Sequence, residues 1–284
     1  MARATAGDGV EIYYETWGRG QPLLLLPGLG ADLRIWVFQR MVFGRRYRCI
    51  ALDSRGAGRS DKPPGPYSLE DMAADAVAVL DAEGVDSAHI LGYSMGSYVA
   101  QILAVRYPER VRSLVLAGTA CRHHPWRREL LAGWMATAAE RGVHVMARQA
   151  LPWLVGPRTV RRFGLGINLA WPLILSQPAP AFAAQVGALL DAPDEYCSEL
   201  AGITAPTLVV VGSEDRLPPP ADAEQVAGLV PGARLVLIPG AGHGLMMEAA
   251  PEFNLAVLGF LAEPGGAGVS PGIAVRVTSS SAGS

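Results

Sequence analysis

At 284 residues the chain is long enough for one large domain or for a core carrying an insert. Half of its residues are hydrophobic and its net charge is −2, so the basic footprint of a nucleic-acid binder is absent. The longest apolar runs fall short of the roughly 18 residues needed to span a bilayer, no charged-then-apolar leader opens the chain, and Cys49, Cys121 and Cys197 are too scattered for a disulfide framework. These features predict a soluble, cytoplasmic protein acting on a small molecule, with no membrane or nucleic-acid partner.

Residues 10–17 (VEIYYETW) mix β-branched and aromatic residues and read as a strand. After a turn, Leu23 to Leu26 form a continuous apolar run, as expected of a strand buried on both faces of a parallel sheet. It ends in Pro27, Gly28, Leu29 and Gly30. A helix from Asp32 to about Phe43 leads to a third strand over Arg48 to Leu52, followed by a polar loop rich in Gly and Pro. Ser68, with Asp71 three residues on, predicts a capping box that opens a helix to Glu83. A strand at Ile90, a helix ending near Tyr107 and a strand at Leu114 to Ala117 continue the alternation.

That alternation stops at about Ala120. From there to Gly202 the pattern is helical, broken by prolines, and holds Trp126, Trp134, Trp153 and Trp171, four of the six tryptophans. This stretch reads as an inserted helical cap; its tryptophans could line an apolar pocket or pack the insert itself. Strand and helix alternate again at Thr207–Val211, Pro220–Leu229, Arg234–Ile238 and Glu252–Leu261. The predicted organisation is therefore core over 1–119, cap over 120–202, core over 203–263 and a disordered Gly, Ser and Ala-rich tail over 264–284. A mostly parallel sheet flanked by helices follows from the alternation.

One stretch carries a candidate nucleophile. In Gly92, Tyr93, Ser94, Met95, Gly96, the pattern G-x-S-x-G stands between a strand and a helix. A chain turning that sharply strains its central residue, so minimal bulk is needed two residues to either side. Ser94 is then lifted clear, facing the amides at the start of the following helix.

A serine hydroxyl needs a base, and the base needs an orienting group. Of the five histidines, only His243 lies in a glycine-rich loop just past the end of a core strand, where open parallel sheets bind ligands. The strand over Thr207–Val211 ends in Gly212, Ser213, Glu214, Asp215. Asp215, further along that turn, is the candidate acid, with Glu214 as the alternative. Two backbone N–H groups are required for the oxyanion: Met95, after the nucleophile, and Leu29, in the turn after Leu26.

The order Ser94, Asp215, His243 resembles the α/β-hydrolase superfamily, as do DSRGAGRSDKPPGPYSLEDMAADAVAVLDAEGV and YPERVRSLVLAGT. Within it, the chain looks most like the esterases, enol-lactonases and cofactor-free haloperoxidases, over residues 8 to 262. Pro27 and Ser97 depart from that pattern, where relatives often carry His and a third Gly. The resemblance implies an α/β-hydrolase fold with a helical cap. It also implies a cofactor-free serine hydrolase cleaving an ester, lactone or thioester with an apolar acyl portion. Perhydrolysis, carbon–carbon bond hydrolysis, lyase chemistry or ligand binding alone are the alternatives the same scaffold supports.

Two other patterns point elsewhere. Gly28, Leu29, Gly30 with Asp53 imitates a dinucleotide fingerprint, but the third glycine position holds Leu33. Cys121, His123 and His124 could ligate a metal but lack a second ligand pair, and read instead as a surface cluster at the cap entrance. The expectation is no cofactor and no metal.

Overall fold

Leu23 to Leu26 and Ile90 to Tyr93 are completely or almost completely buried, because the strands containing them are covered on both faces. The computed structural model describes residues 2–162, 177–193, 196–263 and 274–277. In it the strands are β1 (Ala2–Thr5), β2 (Glu11–Trp17), β3 (Gln21–Leu26), β4 (Tyr47–Leu52), β5 (Ala88–Tyr93), β6 (Val111–Ala117), β7 (Thr207–Gly212), β8 (Arg234–Ile238) and β9 (Ala274–Val277). They form one sheet in the order β1-β2-β4-β3-β5-β6-β7-β8-β9. The pairs β3/β4, β3/β5, β5/β6, β6/β7 and β7/β8 are parallel, while β1/β2, β2/β4 and β8/β9 are antiparallel.

Along β3 the side chains alternate between the two faces. Leu24 and Leu26 pack with helices α2 (Leu69–Ala82) and α3 (Met95–Arg106), and Leu23 and Leu25 pack with α1 (Val37–Gly44) on the other side. Each such leucine, fully withdrawn from water, contributes about 1.5–3 kcal/mol. The capping box opens α2 as expected: the Asp71 N–H donates to Ser68 Oγ at 3.0 Å, and the Ser68 N–H donates to Asp71 Oδ2 at 3.2 Å.

Between β6 and β7 come α4 (Pro125–Arg141), α5 (Val143–Leu154), α6 (Ala179–Leu190) and the short α7 (Tyr196–Glu199). Leu131, Trp134, Met146, Ala150, Phe182 and Val186 of these helices make a third apolar cluster, joined by Leu217 of the core. Trp171 lies outside the described residues. After β7, the core continues with α8 (Pro220–Leu229), α9 (Leu245–Glu248) and α10 (Ala250–Ala262).

Several expectations need correction. Cys121 and Cys197 are bonded to each other, although 76 positions separate them. Linear spacing hid this, because the fold returns the chain to its starting point at the end of the insert. The pair removes the cysteine argument for a cytoplasmic protein. His123 is buried and stacks on Tyr98, so with Cys121 it belongs to the interior and not to a surface cluster.

The tail expectation fails at Ala274–Val277, which pairs with β8. Two valines there suit an edge strand, but the surrounding glycines and serines dominated the composition. The rest of the tail, 264–273 and 278–284, lies outside the described residues. Asp53, the acid of the imitated fingerprint, is fully buried. It accepts the N–H of Leu33 and of Arg59, each at 2.8 Å, and so holds a loop together. No helix among the described residues is long and apolar enough to cross a membrane.

Candidate active site

At the end of β5 the chain turns into α3 through Ser94, whose φ of 53° makes it the one non-glycine residue with positive φ among the described residues. The two flanking glycines are required by contact. A Cβ on Gly92 would stand 2.2 Å from the Gly96 carbonyl oxygen, and one on Gly96 would stand 2.3 Å from that of Leu26. Ser97, where relatives often carry a third glycine, donates its hydroxyl to the Ser94 carbonyl at 2.6 Å, and its Oγ lies 2.9 Å from Thr119 Oγ1, whose hydroxyl can donate to it. Together with the Ser94 N–H donating to Ala117 O at 2.9 Å, these bonds hold the strained residue in place.

His243 follows β8 and Asp215 follows β7, and both are buried. His243 Nε2 lies 2.9 Å from Ser94 Oγ, and His243 Nδ1 lies 2.9 Å from Asp215 Oδ2. The other oxygen of Asp215, Oδ1, accepts the Leu217 N–H at 3.0 Å. The carboxylate is thus fixed at both ends. Glu214, the alternative acid, is exposed and stands aside. The Tyr93 ring packs against the imidazole at 5.1 Å between centroids.

Met95 carries the first N–H of α3, a position with no intrahelical acceptor, and the axial dipole of the 12-residue helix favours negative charge there. Gly28, Leu29, Ser94, Met95 and His243 line one cleft, which runs under α4, α5 and α6. Trp134 lines that cleft. Trp126 and Trp153 instead stack on each other, at 5.8 Å. The two tryptophan readings therefore divide: Trp134 lines the pocket and Trp153 packs against the insert's apolar cluster, while Trp126, which stacks on Trp153, is exposed.

One positioning residue escaped sequence reasoning. Gln185 of α6 is fully buried. Its Oε1 accepts the Gly30 N–H at 3.0 Å, and its Nε2 donates to the Arg55 carbonyl at 2.7 Å. The turn carrying Leu29 is thereby tied to the insert. In the sequence it is only a lone amide within the apolar run APAFAAQVGALL, with no spacing to mark it.

His89, another histidine, is a structural group. Its ring nitrogens lie 2.7 Å from Ser113 Oγ and 2.7 Å from Gln21 Oε1.

Residues 21–141 match the family model described as alpha/beta hydrolase fold. A RutD protein of Azorhizobium caulinodans, named for carbamate hydrolysis, is 30% identical over 270 residues, covering 93% of this chain and 99% of its own. The enol-lactonase of Burkholderia xenovorans LB400 superposes with a TM-score of 0.86 at 28% identity, over 92% of this chain and all of its own. A thermophilic esterase of Thermogutta terrifontis superposes with a TM-score of 0.85 at 30% identity, over 93% and 98%.

Proposed function

Because the chain belongs to the alpha/beta hydrolase fold family, we propose that it is a serine hydrolase of small carboxylic esters or lactones. One observation carries this reading: a continuous chain of 2.9 Å contacts from Ser94 Oγ through both ring nitrogens of His243 to Asp215 Oδ2. A neutral imidazole protonated on Nδ1 donates to Asp215 and leaves Nε2 free to accept the serine proton.

In the proposed reaction Ser94 Oγ bonds to the substrate carbonyl carbon as its proton passes to Nε2. The carbonyl π electrons move onto oxygen, where the Leu29 and Met95 N–H groups receive the charge. Removing one such donor typically costs about 2.7–4 kcal/mol of transition-state stabilisation. Collapse of the tetrahedral species expels the alkoxide, which takes the proton from Nε2, and a water repeats the sequence on the acyl-enzyme. Asp215 holds the tautomer and offsets the imidazolium charge. No step calls on a cofactor.

A substrate with an apolar acyl portion suits the cleft, which is lined mainly by apolar side chains such as Ile35, Leu131 and Phe182. The similarity to an enol-lactonase and to an esterase supports the ester or lactone class. Ser94→Ala is expected to abolish p-nitrophenyl ester hydrolysis and labelling by a fluorophosphonate. Wild-type turnover by that variant would exclude the mechanism.

A further inference from the structure

The loop that carries His243 is bonded to the insert. Gly242 and Gly244 stand to either side of His243 in sequence, and the N–H of each is used at the seam between that loop and the C-terminal end of α5. The Gly244 N–H donates to the carbonyl of Leu154, the last residue of α5, at 2.7 Å. The Gly242 N–H donates to Glu248 Oε1 at 3.0 Å, and Oε2 of the same carboxylate accepts the Gly156 N–H at 2.9 Å. Within the same loop, the Ala241 carbonyl accepts the Glu214 N–H at 2.8 Å, which ties it to the turn that carries Asp215.

Glycine permits so close a seam. A Cβ on Gly242 would run into the Gly156 nitrogen, and one on Gly156 would stand 2.9 Å from the Gly242 nitrogen. Two backbone N–H groups converge here, and neither can satisfy the other, since both only donate. A carboxylate has two acceptor oxygens and can take both at once. Such charge-assisted bonds are roughly twice as strong as neutral ones. The single turn α9, which begins two residues after His243, brings Glu248 back over the loop. Its own N–H donates to the Gly244 carbonyl at 2.9 Å, so the turn is anchored on the loop it serves.

The base depends on that anchoring. In Gly240, Ala241, Gly242, His243, Gly244 three of five residues are glycine, the residue with most backbone freedom to lose, so the order of the loop comes from bonds outside it. His243 Nε2 must stay within reach of Ser94 Oγ while Nδ1 stays on Asp215 Oδ2, and a misplacement of about 1 Å at a reacting group can cost about 10²-fold in rate. Met146, Ala150 and Leu154 of α5 line the cleft. The helix that covers the substrate is therefore also the one on which the loop of the base is fixed.

We infer that Glu248 is a positioning residue for His243: its carboxylate clamps the loop of the base to the end of α5, so that the base is aligned only with the cap docked. This rests on His243 being the base for Ser94. Glu248 acts through the loop and exchanges no proton with the substrate.

The test reads kcat and KM on p-nitrophenyl acetate and hexanoate, together with the low-field proton resonance of the His243 Nδ1–H bonded to Asp215, identified by its loss in Asp215→Ala. Glu248→Gln leaves one acceptor oxygen for two N–H groups, and Glu248→Leu leaves none. The expectation is kcat lowered about tenfold and about 10²-fold in that order, with KM within about threefold of wild type on both esters. The resonance weakens in the same order. Gly156→Ala parts the seam from the cap side with the carboxylate still in place, and it should lower kcat by about tenfold with the same signature.

A glutamate that serves stability alone would lower Tm while kcat of the folded fraction, KM and the resonance keep their wild-type values, and that result overturns the inference. A loss confined to KM overturns it too. If Glu248→Leu does not fold, Glu248→Gln and Gly156→Ala decide by the same criteria. If the wild type turns over no ester, the serine-hydrolase reading fails by itself and the resonance alone decides. A signal strong in the wild type and weakened in the variants then supports the clamp, and one equal in all of the proteins, or seen in none, overturns it.

Discussion

Asp215 does its work through two oxygens with different duties. Oδ1 accepts the Leu217 N–H and Oδ2 faces His243 Nδ1. In Asp215→Asn the side-chain oxygen can keep the Leu217 bond, which turns the NH2 group toward Nδ1. The ring must then accept at Nδ1 and carry its proton on Nε2, where it can no longer receive one from Ser94. Ester hydrolysis is expected to fall about 10⁴-fold in kcat, with a circular-dichroism melt close to wild type separating this from unfolding. Much of this site was legible at the residue scale, because the constraints on Gly92, Ser94 and Gly96 act between near neighbours and leave a contiguous motif. Gln185 was not legible, since its partners Gly30 and Arg55 stand 155 and 130 positions away. A single glutamine carries no spacing to read.

At the scale of elements, α6 and the turn after β3 act as one unit. Gln185→Leu leaves the Gly30 N–H and the Arg55 carbonyl buried and unpaired, at about 1–3 kcal/mol each. Because Gly30 adjoins the proposed oxyanion donor Leu29, kcat should fall by about 10–100-fold, with the loss read under saturating ester, where a stability effect alone would not lower turnover of the folded fraction. The Cys121–Cys197 bond closes the two ends of the insert, a loop of 76 positions. Chain-entropy reasoning assigns such a cross-link about 4 kcal/mol, so Cys197→Ser should shift the urea midpoint clearly downward, and dithiothreitol should do the same to the wild type but not to the variant. The central strands were legible because burial on both faces makes them uniformly apolar. The edge strands β1 and β9, four residues each, were not, because pairing with β2 and β8 and not local composition makes them strands.

For the molecule as a whole, the buried His123 links acid to stability. Burial, with Arg127, Arg128 and His124 nearby, lowers its pKa to about 3, while the unfolded chain titrates near the ordinary 6.5. Between these values the unfolded state binds a proton that the folded state refuses, so the contribution is complete above about pH 6.5 and is lost as the pH falls toward 3. One such histidine removes about 2 kcal/mol between pH 7 and pH 5. Asp53 and Asp75 act in the opposite direction. Burial raises both carboxyls above their usual range, so they bind protons more readily folded than unfolded, and their contribution is lost as the pH rises through the folded value. Subtracting the His123→Phe curve from the wild-type curve cancels those carboxyls. Urea unfolding at several pH values between 7.5 and 4.5 should show the wild type losing stability relative to His123→Phe as the solution is acidified. Parallel curves would mean that His123 accepts its proton in the folded state, and that its surroundings are open to water.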